Sequence, residues 1–487
     1  MVVDPVRPAA GRRIAANSGY QLASFTARAM GMLGVVFIIA RVGGPHQLGI
    51  FQFGLTFTGL FPFYWGLPVL IAREVARRPE EARIWAECSV IVTLAIGALC
   101  VALFAAGGWL VGASADTGQA IVLAGIGLVI DSVARVQFAV FWAWERMGLE
   151  TAVTAIQETV LLVGAGVVAA AGGGVRGVLL VFIATRALGA MVAWGILSRR
   201  VGGAVIPRTS LAFARKILRQ ATPFAANDTL TLTYGRADAV MLGMIKGPAA
   251  VGLYQAATNL VLNFNVLARS VNHAVYPRMS RAWTDAREQV GRLRDGSLQA
   301  LALIAIPVTV GSLLLAPEII RFLYGKKFDQ AILTYRLLVI AIPVRMLGNT
   351  LSLTLSAADR QTRRTVAVAV AAFCNVGLNL YFIPRWSYVG AATTTLITEG
   401  GLFVAYVVLV RQVVGPSRVL RAGVLPAVAS LPMIVVALAT IRTPMPAPVI
   451  AGAAAYGMGL LAIAAFKAGP RGRHPRALLT ALVRSGT

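Results

Sequence analysis

Acidic residues are scarce in this chain. Nineteen Asp and Glu stand against 45 Lys and Arg, and charged residues of both signs make up 13% of 487 residues, whereas soluble domains carry about 25%. Cysteine and histidine number three each. Cys88, Cys100 and Cys374 lie in or at the edge of apolar segments with no CxxC spacing and no His partner. They read as small buried hydrophobes, which excludes a disulfide framework and redox chemistry. His46, His273 and His474 are far apart, and no HExxH or His/Cys/Asp cluster gathers a metal. There is no GxxxxGK[ST] loop to hydrolyse ATP and no GxSxG elbow with a Ser-His-Asp order. Long loops are missing as well. The longest connections, near 199–220 and 278–296, are too short to form a catalytic domain. Neither an enzyme nor a bound cofactor is expected.

What the chain has is apolar length. Hydrophobic residues make up 57% and the mean hydropathy is +0.75. A hydrocarbon core about 30 Å thick requires about 20 apolar residues per helix, and the backbone must be satisfied within each segment. Windows of that length fall near 18–42, 50–72, 86–110, 119–144, 150–171, 177–198, 221–245, 251–277, 297–316, 333–356, 364–384, 388–411, 420–441 and 447–467. Fourteen transmembrane helices are therefore expected. The basic N-terminus leads into a long apolar helix, so a removable signal peptide is not expected.

The net charge of +26 would suggest nucleic acid in a soluble protein. Here the basic residues form short clusters between apolar runs, which is a topology signal, and no nucleic-acid partner is expected. Thirty Lys and Arg fall at the N-terminus, after the even-numbered segments and in the tail from Lys467; nine fall on the other side. Both termini are expected in the cytoplasm.

The chain also repeats itself. Gly44–Gln52 reads GPHQLGIFQ and Gly247–Gln255 reads GPAAVGLYQ. AAN at 15–17 returns at 225–227, and WER at 144–146 has ADR at 358–360 as its counterpart. With six helices per copy, the second copy enters the membrane in the same sense as the first, giving parallel repeats. The expected organisation is an N-terminal six-helix lobe over 1–210, a second over 211–415, and an extra helix pair with a basic tail over 416–487.

Polar residues follow the repeat into the membrane. Asn17, Gln21, Ser24 and Arg28 share one face of the first segment; Asn227, Thr231, Tyr234 and Asp238 repeat that spacing in the seventh. Asp131 and Arg135 in the fourth segment match Arg345 and Asn349 in the tenth, and Arg186 in the sixth matches Glu399 in the twelfth. Three matched positions thus invert sign: Arg28 with Asp238, Asp131 with Arg345, Arg186 with Glu399. Arg269 and His273 continue the face begun by Gln255 and Asn259 in the eighth segment. A charge at the middle of a membrane helix costs about 2.5–3.5 kcal/mol on insertion scales, so these groups are expected to line an interior. Two uses remain open: salt bridges between lobes, or a ligand site. The guanidinium fork suits phosphate, which makes Arg28, Arg269, Arg345 and Arg135, with His273, Gln21 and Asn259, the candidate substrate-binding set. Asp238, Asp131, Glu399, Arg186 and Asp228 are candidates for ion coupling or pairing between lobes, although Asp228 sits near a helix start and could simply cap it.

The ordered combination GPHQLGIFQFGLTF, GLPVLIAREVAR, YGRADAVMLGMIKGPAAVGLYQAATNL, YPRMSRA, FLYGKKFDQA, NVGLNLYFIP and VGAATTTLITE resembles the polysaccharide transporter (Wzx-type oligosaccharide flippase) family, within the multidrug, oligosaccharidyl-lipid and polysaccharide exporter superfamily. The likeness spans roughly residues 15–412. It implies an all-α membrane protein with two six-helix lobes arranged as a V around a central cavity. The implied activity is movement of a polyprenyl-diphosphate-linked oligosaccharide from the cytoplasmic to the outer leaflet of the cell (inner) membrane by alternating access. Implied partners are the lipid-linked oligosaccharide, membrane lipid, and glycan polymerase or glycosyltransferases of the same pathway. Related lipid II flippases carry cavity arginines from helices 1 and 8, which by position would be Arg28 and Arg269, and use the last two helices as a groove for the lipid tail. The main alternative is an ion-coupled exporter of small organic cations using Asp238 and Asp228. A lipid II flippase is a lesser one. A membrane polymerase or ligase would need a larger outer loop than that near 317–332.

Overall fold

The computed structural model describes residues 8–110, 114–201 and 209–468; the side chains of 8–15, of Asn227, Thr231 and Tyr234, and of Arg269 and His273 are among those lying outside the description, as does the basic tail from residue 469. All described elements are helical. In order they are α1 (Pro8–Thr58), α2 (Leu67–Arg77), α3 (Ala82–Leu110), α4 (Ala115–Ala143), α5 (Met147–Ala170), α6 (Gly174–Val201), α7 (Leu211–Lys246), α8 (Pro248–Asn263), α9 (Asn265–Asp285), α10 (Arg287–Leu314), α11 (Ala316–Tyr324), α12 (Ala331–Ala357), α13 (Gln361–Val414), α14 (Val419–Thr440) and α15 (Ala447–Ala468).

Ten described helices are long and apolar enough to cross a membrane. Two of them are double length. α1 turns at Gly44 (φ 72°) ahead of Pro45, and α13 turns at Ser387 (φ 51°) after Pro384, so each covers two of the expected segments. Two expected segments are broken instead of continuous. The second is interrupted over residues 59–66, where Gly59, Pro62 and Gly66 cannot sustain a helix; the eighth is split at Phe264 between α8 and α9. The short α11 falls between expected segments. Large apolar side chains such as Phe373, Leu420 and Phe466 stand more than 80% exposed, the surface that lipid covers.

The repeat is visible in the backbone. Gly44 (φ 72°, ψ −169°) and Gly247 (φ 80°, ψ 179°) share one conformation, each followed by a proline that opens the next helix. The turn after α4 carries Glu145 at φ 54°, and the turn after α12 carries Asp359 at φ 56°. Both turns close with the same bond: Arg146 N donates to Phe141 O at 2.9 Å, and Arg360 N to Leu355 O at 2.9 Å. That six-residue ring satisfies carbonyls the helix end leaves free.

By packing, the chain divides into two compact units, Met1–Gly252 and Leu253–Thr487. In the first unit α4 is central, packed on α1, α2, α3 and α6, while α5 rests on α1 and α6, and α7 on α1, α2 and α3. Leu70, Ile71, Trp85, Phe138 and Phe141 form its core with Ile217 and Ala221 of α7. Within this unit the two GP loops touch. A Cβ on Gly49 would overlap the carbonyl oxygen of Pro248, and one on Gly252 would overlap that of Pro45. The sequence needs the same loop twice because each copy's glycine makes room for the other's proline carbonyl. In the second unit α12 packs on α9, α10 and α13, and α14 on α10 and α15.

Candidate functional site

The first unit holds a cavity of ≈ 320 Å³ among α1, the 59–66 break, α2, α4, α5 and α7. α1 supplies Gln21, Ser24 and Arg28 at helical spacing, so one face of the helix forms one wall. Arg135 and Trp142 come from α4, Glu150 from the first turn of α5, Asp228 from α7, and Tyr64 from the break. The broken helix therefore has a use: its irregular backbone brings an aromatic into the wall, where a continuous helix would not turn.

Arg28, Arg135 and Glu150 of the wall belong to a charge cluster that continues behind it into the buried interior. Arg135 Nε donates to Asp131 Oδ2 at 2.7 Å and Arg186 Nη1 to Glu158 Oε1 at 2.7 Å, with Arg186 Nη1 3.8 Å from Asp131 Oδ1. Arg28 is held differently. Its Nη1 is 3.8 Å from Asp131 and its Nη2 3.7 Å from Glu150, and its hydrogen bond runs to Thr154 Oγ1 at 3.3 Å. Ion pairs near 2.7 Å are charge-assisted hydrogen bonds; at 3.7–3.8 Å only the Coulomb attraction remains. Arg28 is thus oriented while its guanidinium, on the cavity wall, keeps donors that no carboxylate has taken up. Glu150 accepts from Trp142 Nε1 at 2.5 Å and from Gln21 Nε2 at 3.0 Å. Three arginines and three carboxylates balance in charge, as a low-dielectric interior demands.

Of the sequence-derived candidates, Arg28, Arg135, Gln21 and Asp228 line this one cavity. Asp131 lies behind it, 7% exposed, and Arg186 is buried at 5% against Glu158 and the Phe182 ring. Asp238 Oδ1 accepts from the backbone N of Ala239 at 2.7 Å. In the second unit Arg345 Nε donates to Glu399 Oε1 at 2.8 Å. Asn259 has a buried Nδ2 with no partner among the described residues, and its carbonyl accepts from Asn263 Nδ2. Arg269 and His273 lie outside the described side chains. The ion pairs made by Asp131 and Arg186, and by Arg345 and Glu399, each join helices of one unit.

Sequence reasoning missed Glu150, Trp142 and Tyr64. A signal for Glu150 existed. Carried along the register that pairs Arg146 with Arg360, Glu150 falls on Arg364, a fourth sign inversion, and Trp142 falls on Ser356. The structure makes the equivalent contact in both copies: Trp142 to Glu150, and Arg364 Nη1 to Ser356 Oγ at 3.2 Å.

The second unit holds an apolar groove of ≈ 640 Å³ walled by Leu260, Phe264, Pro307, Met433, Gly452 and Tyr456, drawn from α8, the α8–α9 junction, α10, α14 and α15. Tyr456 Oη donates to Leu303 O at 2.8 Å, which leaves the groove lining almost wholly hydrocarbon.

Comparison with known proteins follows the same lines. The profile of the family described as Polysaccharide biosynthesis protein matches residues 14–283, and that of Lipid II flippase MurJ matches residues 237–455. The probable flippase AglR of Haloferax volcanii is 28% identical over 171 residues, 34% of this chain and 36% of that protein. The probable low-salt glycan biosynthesis flippase Agl15 of the same organism is 22% identical over 376 residues, 75% of this chain and 76% of that one. Among solved structures, the lipid II flippase MurJ in an inward closed conformation superposes with a TM-score of 0.71 at 15% identity, covering 91% of this chain and 98% of that one. An inward-facing multidrug resistance MATE family transporter of the MOP superfamily gives 0.67 at 14%, covering 78% and 93%. The fold is that of this transporter superfamily.

Proposed function

The chain belongs to the polysaccharide biosynthesis protein family, and from that premise we propose that it is a flippase for a polyprenyl-diphosphate-linked oligosaccharide, moving it from the cytoplasmic to the outer leaflet for cell-surface glycan assembly. The observation that carries the reading is the state of Arg28: on a cavity wall beside Arg135, 3.7–3.8 Å from its carboxylates and so able to donate to a phosphate oxygen in their place. Arg135 adds positive potential at the same wall, and Gln21, Ser24, Tyr64 and Trp142 present the amide, hydroxyl and aromatic surfaces that sugar hydroxyls and ring faces use. The apolar groove of the second unit suits an isoprenoid chain, giving α14 and α15 a purpose. Both termini lie in the cytoplasm, and the cavity opens to the two leaflets in turn. Carrying about two negative charges outward across a membrane negative inside releases about 4.6 kcal/mol per 100 mV, so no nucleotide site is required.

The test is translocation of a fluorescent lipid-linked oligosaccharide in reconstituted vesicles, read by its accessibility to an added glycosidase. Arg28→Ala and Arg269→Ala are expected to slow it at least tenfold; undiminished transport in both overturns the proposal. A second reading is favoured by Glu150 and Asp228, carboxylates on the same cavity wall. It makes the protein a cation exporter, and cation-coupled dye efflux insensitive to lipid-linked saccharide would establish it.

A further inference from the structure

A second cavity of the first unit, ≈ 630 Å³, lies at the ends of its helices and is separate in its lining from the charge cluster. Three arginines reach it from three separate elements: Arg83 from the first turn of α3, Arg146 from the turn between α4 and α5, and Arg200 from the last turn of α6. Trp144 forms part of the wall, with Pro79 and one acid, Glu80, also present. All these positions lie on the side where the basic residues collect. We propose that this cavity binds the phosphate-bearing headgroup of an anionic phospholipid of the cytoplasmic leaflet.

The positions of the groups are set by packing. The left-handed Glu145 and the Arg146 N to Phe141 O bond hold the turn, and the Trp144 ring sits 6.2 Å from that of Phe141. Arg83 Nε donates to Glu87 Oε1 at 2.9 Å, which orients its guanidinium. Among the described residues Arg146 and Arg200 form no ion pair. Planar guanidinium forks from several directions suit a phosphodiester, and an indole at the end of membrane-spanning helices suits the headgroup level of a bilayer. Topology alone would explain scattered basic residues, but it does not explain convergence on one cavity with an indole. The matched turn of the second copy keeps Arg360 but has Ala358 in place of Trp144, so the arrangement is not a by-product of the repeat. A soluble phosphate ester would use the same forks, but it gains nothing from an indole at the bilayer edge.

The test is native mass spectrometry of the purified full chain titrated with phosphatidylglycerol, phosphatidylcholine or inorganic phosphate. Phosphatidylglycerol is expected to bind at least tenfold more tightly than phosphatidylcholine. R146Q/R200Q should weaken it about ten- to thirtyfold, since each basic residue near an anionic surface contributes about 1 kcal/mol. R146K/R200K should retain most of the affinity, and the charge-matched R215Q/R219Q all of it. Arg146 and Arg200 are exposed, so unchanged thermal unfolding serves as the folding control. Equal binding of the two lipids, no loss in R146Q/R200Q, or an equal loss in R215Q/R219Q overturns the proposal. Displacement of phosphatidylglycerol by millimolar phosphate also overturns it, in favour of a soluble phosphate ester. None of these outcomes depends on transport, so the flippase reading stands or falls separately.

Discussion

Among the described residues, the buried polar interior of the first unit is ionic and that of the second is mostly neutral, although the two copies descend from one plan. In the first, Arg28, Asp131, Arg135, Glu150, Glu158 and Arg186 form a cluster of six charges. In the second, the pair matching Asp131 and Arg186 survives with its signs exchanged, as Arg345 and Glu399 at 2.8 Å. Around it the bonds pass to amides and hydroxyls: Asn379 to Asn375 at 2.9 Å, Asn375 to Thr398 at 3.2 Å, Thr350 to Asn272 at 3.0 Å. The backbone kept its turns while the side chains changed chemistry. What duplication conserved is the need for a satisfied polar contact at each helix crossing; the carrier of that contact was free to change sign or lose charge. The first unit keeps a balanced set of charges in which one arginine, Arg28, is held at 3.7–3.8 Å from its carboxylates.

The largest expected effect separates these two interiors. Glu158→Leu leaves Arg186 buried without its closest carboxylate and should cost about 3–5 kcal/mol. Asn379→Leu in the second unit breaks a neutral bond and should cost about 1–3 kcal/mol. Thermal unfolding of the detergent-solubilised protein measures both, and an equal or reversed order would break the comparison. Adding Arg186→Met to Glu158→Leu should restore much of the loss, because the stranded charge is then gone.

Smaller and symmetric effects are expected where the copies still agree. Gly49→Ala and Gly252→Ala each push a methyl group into a proline carbonyl, and overpacking of this kind costs about 1–3 kcal/mol. The two values should match, and a large difference would show that the loops are not equivalent.

The smallest effect lies outside the helices long enough to span a membrane. Arg321 binds Asp329 at 2.8 and 2.9 Å, which holds the Asp329 carboxyl below its ordinary range, first by the hydrogen bond and then by charge. A lowered carboxylate pKa stabilises the fold above the ordinary value, and the contribution is lost as pH falls through the lowered one. Both side chains are largely exposed, so Asp329→Asn should leave the unfolding temperature almost unchanged at pH 7 and remove only its slight fall in acid.

The fold class was legible because a membrane helix needs little more than apolar length. The repeat was legible because turns keep Gly and Pro where side chains drift. The helix breaks were less so: FPFYWGLP at 61–68 is as apolar as a span, and only its prolines and glycines mark the bend that places Tyr64. In the site, the Arg28 face of α1 could be read from spacing alone. The repeat register marks Glu150, but that Glu150 and Thr154 meet Arg28 could not be read, since they come from α5 and only packing brings that helix against α1. Periodicity reports which residues share a face, not what the face meets.

The most direct measurement is the affinity of the purified protein for a polyprenyl-diphosphate-linked oligosaccharide against the same glycolipid lacking the diphosphate, in the wild type and in Arg28→Ala. Hydrogen bonds to a charged group contribute about 1.5–3 kcal/mol, so the wild type should prefer the diphosphate by at least tenfold and Arg28→Ala should lose most of that preference. Equal affinity for the two lipids in the wild type, or an undiminished preference in Arg28→Ala, would contradict an anion site built on a loosely held arginine.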